Sequence, residues 1–461
     1  MTRHDDSNTR GWMMLAAVLL VLVVAAVQVG WLLGGNTPTT APPVGPVAPV
    51  ARESANHNAS TRSAHADDDD VVIVPDDNAN TPGQSAGNAA ASNAYGDPPA
   101  PASGGHGSVD RTVPALVWLS LHQGEPGAWS AMRFAEDAAG KVEGSYSGHD
   151  GTAGYGDDNV SGAVTGLALL AHLGCGYTHA DGDRKNTVAA GLKFIKSQLH
   201  DEADDEAADI AGAIGDPYAS WGMMSHALMT SALVENYGMT GATMFRAWLG
   251  KAVAFITRNQ IKLADGTYSG WGRTLGDPTP DMLTTAWMLI TLKSTQIAGE
   301  KVEQWDERMD GIAAWAATWP GNDLLTNAVV VLARNFHRKP TAASGDAAAV
   351  DAAARLAADM AERTARLQHA LDEVDAKPIE PFAQYFSFLA MVQCRPGGWR
   401  ETMQAVQKHL LAQQHHDPAN GALYGSWDVD PGIAVAIGRP GMTALNSLML
   451  EVYYRYETAT R

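Results

Sequence analysis

Several positions in this 461-residue chain place chemically capable residue types together. Asp157 and Asp158, in the run Gly-Tyr-Gly-Asp-Asp-Asn, set two carboxylates side by side, the composition of acid–base pairs in sugar-active enzymes. Adjacent side chains rarely face one site, and an aspartate before a helix satisfies its free amides, so capping is the simpler use of this pair. His226 follows Ser225 at an expected helix start and titrates in the right range for a general base, although a cap or a hydrogen-bonded core histidine accounts for it more simply. Asp281 precedes a further helix start. Cys175 and His179 are spaced as a ligand pair but fall in a turn that ends a helix, and the acidic run 67–70 lies in a segment with no geometry to hold calcium. No metal and no cofactor is expected from these patterns.

The surrounding composition narrows the classes. Lys and Arg total 32 against 51 Asp and Glu, a formal charge of −19, which leaves no basic footprint for a nucleic-acid backbone. Two cysteines exclude a disulfide scaffold and a thiolate zinc cluster. Residues 12–33 carry no charge and, as a helix, would reach about 33 Å, enough to cross a bilayer. Arg3 and Arg10 precede this stretch and the next basic residue is Arg52, so the expected anchor leaves residues 1–11 in the cytoplasm and displays the remainder on the periplasmic side of a single-pass membrane protein. Residues 34–108, rich in Pro, Ala, Asn and Gly, read as a disordered tether with a reach of roughly 50 Å.

From residue 109 to 461 apolar residues recur at helical spacing, so the domain is expected to be all-α. Six segments resemble one another, starting at Ala163, Ser225, Thr284, Thr326, Gln384 and Met442. A second set falls between them, starting at Val113, Val188, Leu249, Met309, Asp346 and Met403. Two interleaved sets make about six hairpins, which must stack to bury their apolar faces and are expected to close into an α/α toroid with the Ala163 set inside. Within it, residues 346–375 form a long Ala-rich helix whose positions Val350, Ala353, Ala357, Met360, Thr364, Leu367, Leu371 and Val374 step by three and four.

The first outer segment carries Trp118 and Leu119, then Gln123, Gly127 and Trp129. Looser copies place Gln260 before Gly270 and Trp271, and Gln414 before Gly425 and Trp427. This spacing resembles the QW motif of squalene and oxidosqualene cyclases. With the phrases Gly166-to-His179, Ser225-to-Gly241 and the terminal Leu450-to-Tyr456, the domain resembles bacterial proteins with prenyltransferase and squalene oxidase repeats, in the terpenoid cyclase and protein prenyltransferase toroid superfamily. The motif implies a structural tie, with the glutamine meeting backbone groups at helix ends and the tryptophan packing over it.

The resemblance does not bring the family's chemistry with it. At the place of the cyclase acid motif stand Asp281, Met282, Leu283, Thr284, Thr285 and Ala286, without the paired acids. Trp427, Asp428, Val429 and Asp430 offer two acids, but Pro431 and Gly432 follow. Neither Cys175 nor Cys394 has the acid two residues earlier that a prenyltransferase zinc site needs, since Leu173 and Val392 stand there. A thioester motif is broken by Tyr177 and Thr178 after Gly174-Cys175-Gly176. The expectation is therefore a binding or scaffold module for a lipid, isoprenoid or protein partner. The alternatives are an isoprenoid enzyme with an aromatic tunnel of Trp221, Trp271 and Trp287, and a polysaccharide-active enzyme.

Overall fold

Glycine, proline and aspartate clusters interrupt the helical pattern, and the computed structural model follows those breaks. It describes residues 106–201, 209–320, 323–337, 347–430 and 432–459. The expected cytoplasmic tail, membrane span, most of the tether and the acidic run 67–70 lie outside the described residues. No helix among the described residues is long and apolar enough to cross a membrane.

The described residues form thirteen α-helices and no strand. Six are outer: α1 (His106–Leu121), α4 (Lys185–Ser197), α6 (Arg246–Arg258), α8 (Trp305–Ala317), α10 (Ala347–Asp372) and α12 (Trp399–Gln413). Six are inner: α3 (Ser161–Gly174), α5 (Gly222–Thr240), α7 (Met282–Ile297), α9 (Leu324–Phe336), α11 (Pro381–Cys394) and α13 (Gly438–Ala459). The short α2 (Phe134–Asp137) lies in the first connection.

Inner helices pack in the cycle α3, α5, α7, α9, α11, α13 and back to α3, an arrangement consistent with an α/α toroid. Composition explains the layers. In α3 every residue from Ala163 to Gly174 is buried, so the helix is covered on all sides, whereas α4 buries only Val188, Gly191, Leu192 and Ile195 and shows water its other face. Small residues bring the inner helices close: a Cβ at Gly166 would stand 2.6 Å from the Leu228 backbone of α5. The long Ala-rich helix is present as α10. Leu367, Leu371 and Val374 seat its C-terminal end in the core, while residues 349–358 are exposed, Val350 and Leu356 included.

Candidate functional site at the ring seam

The three Gln/Trp units share one hydrogen-bond pattern. The glutamine Nε2 donates to the carbonyl two residues before the tryptophan: Gln123 to Gly127 at 2.8 Å, Gln260 to Ser269 at 2.7 Å and Gln414 to Gly425 at 2.8 Å. The tryptophan Nε1 donates to the carbonyl four residues before the glutamine: Trp129 to Leu119 at 2.7 Å, Trp271 to Ile256 at 2.8 Å and Trp427 to Leu410 at 2.8 Å. Each tryptophan backbone N–H donates to a threonine hydroxyl on the following inner helix, Thr165, Thr285 or Thr443. One residue pair thereby closes the end of an outer helix and fastens it to an inner one. The threonines stand in the first two turns of their inner helices but 36, 14 and 16 residues from their tryptophans, so no fixed spacing marks them.

The candidate residues Asp157, Asp158, His226 and Asp281 are not brought together into one site. Asp157 accepts from the Asn159 backbone N–H at 3.0 Å and, with Asp158, is exposed. Asp281 caps α7, with Oδ1 accepting from the N–H and hydroxyl of Thr284 at 2.8 Å, and Oδ2 takes Arg273 at 3.0 Å. His226 is fully buried in α5, where Nδ1 accepts from the Ile214 N–H at 2.9 Å and Nε2 faces the Ala252 carbonyl at 3.2 Å. Burial lowers its pKa to about 3, so it stands neutral in the core. Cys175 and His179 diverge, the thiol toward Glu451 and the imidazole toward Asn236. Both cysteines are free of disulfides.

A denser polar cluster gathers where the last hairpin meets the first. Arg439, in the first turn of α13, has a side chain with no solvent exposure. Its Nε donates to the Ala153 carbonyl at 2.9 Å, Nη1 to Ser426 and to the Trp427 carbonyl at 3.2 Å, and Nη2 to Asp428 Oδ1 at 2.7 Å. Asp428 Oδ1 also meets His415 Nε2 at 2.7 Å, and Oδ2 accepts the backbone N–H of His149 at 2.8 Å. Burial alone would raise the Asp428 pKa, but the bonds from His415 and Arg439 outweigh it and hold the carboxyl well below its usual range. The His149 ring lies over the His415 ring, with centroids 4.2 Å apart and planes within 9°.

Two further carboxyls stand nearby. Asp430 is raised by burial and by the Asp428 charge, with His409 opposing. Glu380 caps α11 through the Ala383 N–H at 3.0 Å and is also raised by burial. Asp428 and Asp430 are followed by Pro431 and Gly432 and not directly by a helix, so they do not form the cyclase acid motif. His149 lies 279 residues from Asp428, so no local pattern reports their meeting.

Inside the ring, Trp287 of α7 stacks on Tyr385 of α11 at 5.3 Å and packs against Phe382 and Phe386. Since α9 separates α7 from α11 in the cycle, these aromatics meet across the ring interior. All four are buried. Burial, then the Glu235 and Glu451 charges, push the Tyr385 hydroxyl above its ordinary range. Buried Trp287 Nε1, Gln384 Nε2 and Ser387 Oγ have no hydrogen-bond partner among the described residues. Trp271 is held between layers by its Gln/Trp unit and Trp221 lies under Arg273, 4.4 Å from its ring centre, so these tryptophans do not line one tunnel with Trp287.

No family model and no curated protein matches the chain. A solved structure described as a novel alpha-amylase from Clostridium perfringens aligns over 76% of this chain and 98% of its own, with TM-score 0.40 and 11% identity. A likeness that slight carries nothing about chemistry.

Proposed function

We propose that this chain is a membrane-anchored α/α-toroid that binds a lipid, isoprenoid or protein partner outside the cytoplasmic membrane and serves as a binding or scaffold module. The reading rests above all on the ring interior, where Trp287, Tyr385, Phe382 and Phe386 pack on one another. It is supported by the engagement of Asp281 as a helix cap and by the different partners of Cys175 and His179. Native mass spectrometry of the full chain in mild detergent, after incubation with a bacterial lipid extract or with acidic oligosaccharides, tests it. A retained lipid or co-purified protein is the expected result, and shortened oligosaccharides would overturn it.

A second reading, a polysaccharide-active enzyme, is favoured by one observation. Glu380 and Asp430 are neighbouring carboxyls whose pKa values burial raises, the direction that a general acid requires. Under that reading Glu380→Gln abolishes cleavage of an oligosaccharide while the fold survives. No cleavage by the unaltered chain would sink it.

A further inference from the structure

His149, His415 and Asp428 converge from the first and last hairpins of the ring. Each offers one ligand atom, and these atoms lie within 4.8 Å of one another. Donors around one tetrahedral zinc ion stand about 3.3 Å apart at ordinary bond lengths, so a pair at the 4.8 Å bound closes by about 1.5 Å while His415 Nε2 and Asp428 Oδ1, 2.7 Å apart, open by roughly 0.6 Å. That movement is available. His149 is exposed and, among the described residues, its ring is held by stacking on His415 alone, whereas Asp428 and His415 are tied to the buried framework.

We infer that His149, His415 and Asp428 form a binding site for zinc or another borderline divalent cation, which clasps the seam where the toroid closes. Two imidazoles and one carboxylate suit such an ion, and a fourth position stays open for water or an anion on the exposed His149 side. Arg439 acts as the positioning residue: its Nη2 holds Asp428 Oδ1 from the buried side and sets the carboxylate direction, as hydrogen-bonded outer residues do in metal sites. On binding, the ion takes the His415 Nε2 lone pair, and a proton held at that nitrogen passes to water or, by tautomerisation, to Nδ1.

The seam gives the clasp something to hold. The 145–157 and 414–439 segments are already joined by Asn420 Nδ2 to the Ser145 carbonyl at 3.0 Å, Arg439 N–H to the Gly154 carbonyl at 2.8 Å and Asp157 N–H to the Ala436 carbonyl at 2.7 Å. An ion bound by the folded ring and not by the open one raises its stability by mass action.

The test uses the full chain, stripped with chelator and titrated with Zn2+ against a chromogenic competitor, then with Co2+ for its visible spectrum. His149→Phe keeps the ring stacking on His415 and removes the ligand nitrogen; His149→Asp restores a ligand. We expect the unaltered chain to bind one more equivalent than His149→Phe, or to bind it roughly tenfold or more tightly. We also expect His149→Asp to recover part of the loss and the Co2+ bands to disappear in His149→Phe. The Zn2+-induced rise in Tm should vanish in His149→Phe, whose metal-free Tm stays that of the unaltered chain. Equal Zn2+ uptake and equal Tm response in the unaltered chain and His149→Phe overturn the inference, as does the absence of Zn2+ binding by both.

Discussion

At the scale of single residues, three buried histidines set the acid limit of the fold. Burial lowers His226 to about 3 and His122 and His172 to about 4, against an ordinary value of 6.5. Each is bonded as a neutral ring; His172 Nδ1 meets the Ala168 carbonyl at 2.7 Å and Nε2 the Ser120 hydroxyl at 3.1 Å. The unfolded chain takes these protons first as pH drops below 6.5. Their contribution is therefore complete above that value and is lost on acidification toward 4 and then 3, at roughly 1 kcal/mol per pH unit for each histidine. Urea unfolding between pH 7 and 4 measures this, and His226→Gln should shallow the slope. Arg439 is the other sensitive residue. Arg439→Met removes the partner of Asp428 together with donors to Ala153, Ser426 and Trp427, and should cost about 3 kcal/mol, with no rescue by lysine, whose ammonium cannot reproduce the planar fork.

At the scale of elements, the Gln/Trp units predict equal costs at distant places. Thr285→Val leaves the buried Trp271 N–H without its acceptor and should lower stability by about 1–3 kcal/mol; Thr165→Val should do the same through Trp129. The two sites lie in separate hairpins, so the double variant should show the sum, read by chemical denaturation. Trp129→Ala removes a fully buried indole and should cost about 3–5 kcal/mol. The start of α10 behaves oppositely. Leu356→Glu, at an exposed position, should change stability by less than about 0.5 kcal/mol, whereas Leu367→Ala in the buried half of that helix should cost about 2–5 kcal/mol.

At the scale of the whole described domain, the ring is closed by contacts between its first and last hairpins. Trp118 Nε1 donates to the Ala422 carbonyl at 2.9 Å, and Gly425, at φ +94°, lies so close to α1 that a Cβ would stand 2.5 Å from the Pro114 carbonyl. Gly425→Ala should therefore open the last hairpin against the first, raising amide exchange along α1 and α13 before it affects α5 and α7. The proposed anchor makes a separate prediction. Fractionation of cells producing the full chain should place it in the membrane with residues 1–11 attached, and a shortened soluble form would contradict the span at residues 12–33.

The helical period and the recurrence of similar segments were legible because each hairpin must bury an apolar stripe, and that requirement writes its spacing into the chain. The assignment of inner and outer sets followed from composition, since the small residues of the Thr-, Ala- and Gly-rich set let helices approach closely, whereas α4 and α12 turn a charged face to water. The glutamines and tryptophans of the repeat were visible for the same reason, but their threonine partners were not, because a buried threonine on an apolar helix has no distinctive spacing. Asp281 and His226 could be named, and a bonded core histidine was among the simpler uses of His226, but residue type alone does not separate cap, core bond and proton donor. The seam cluster was beyond reach: His149, His415, Asp428 and Arg439 are ordinary residues in separate segments, and only closure of the ring, which depends on the rotation between successive hairpins, carries the first loop onto the last.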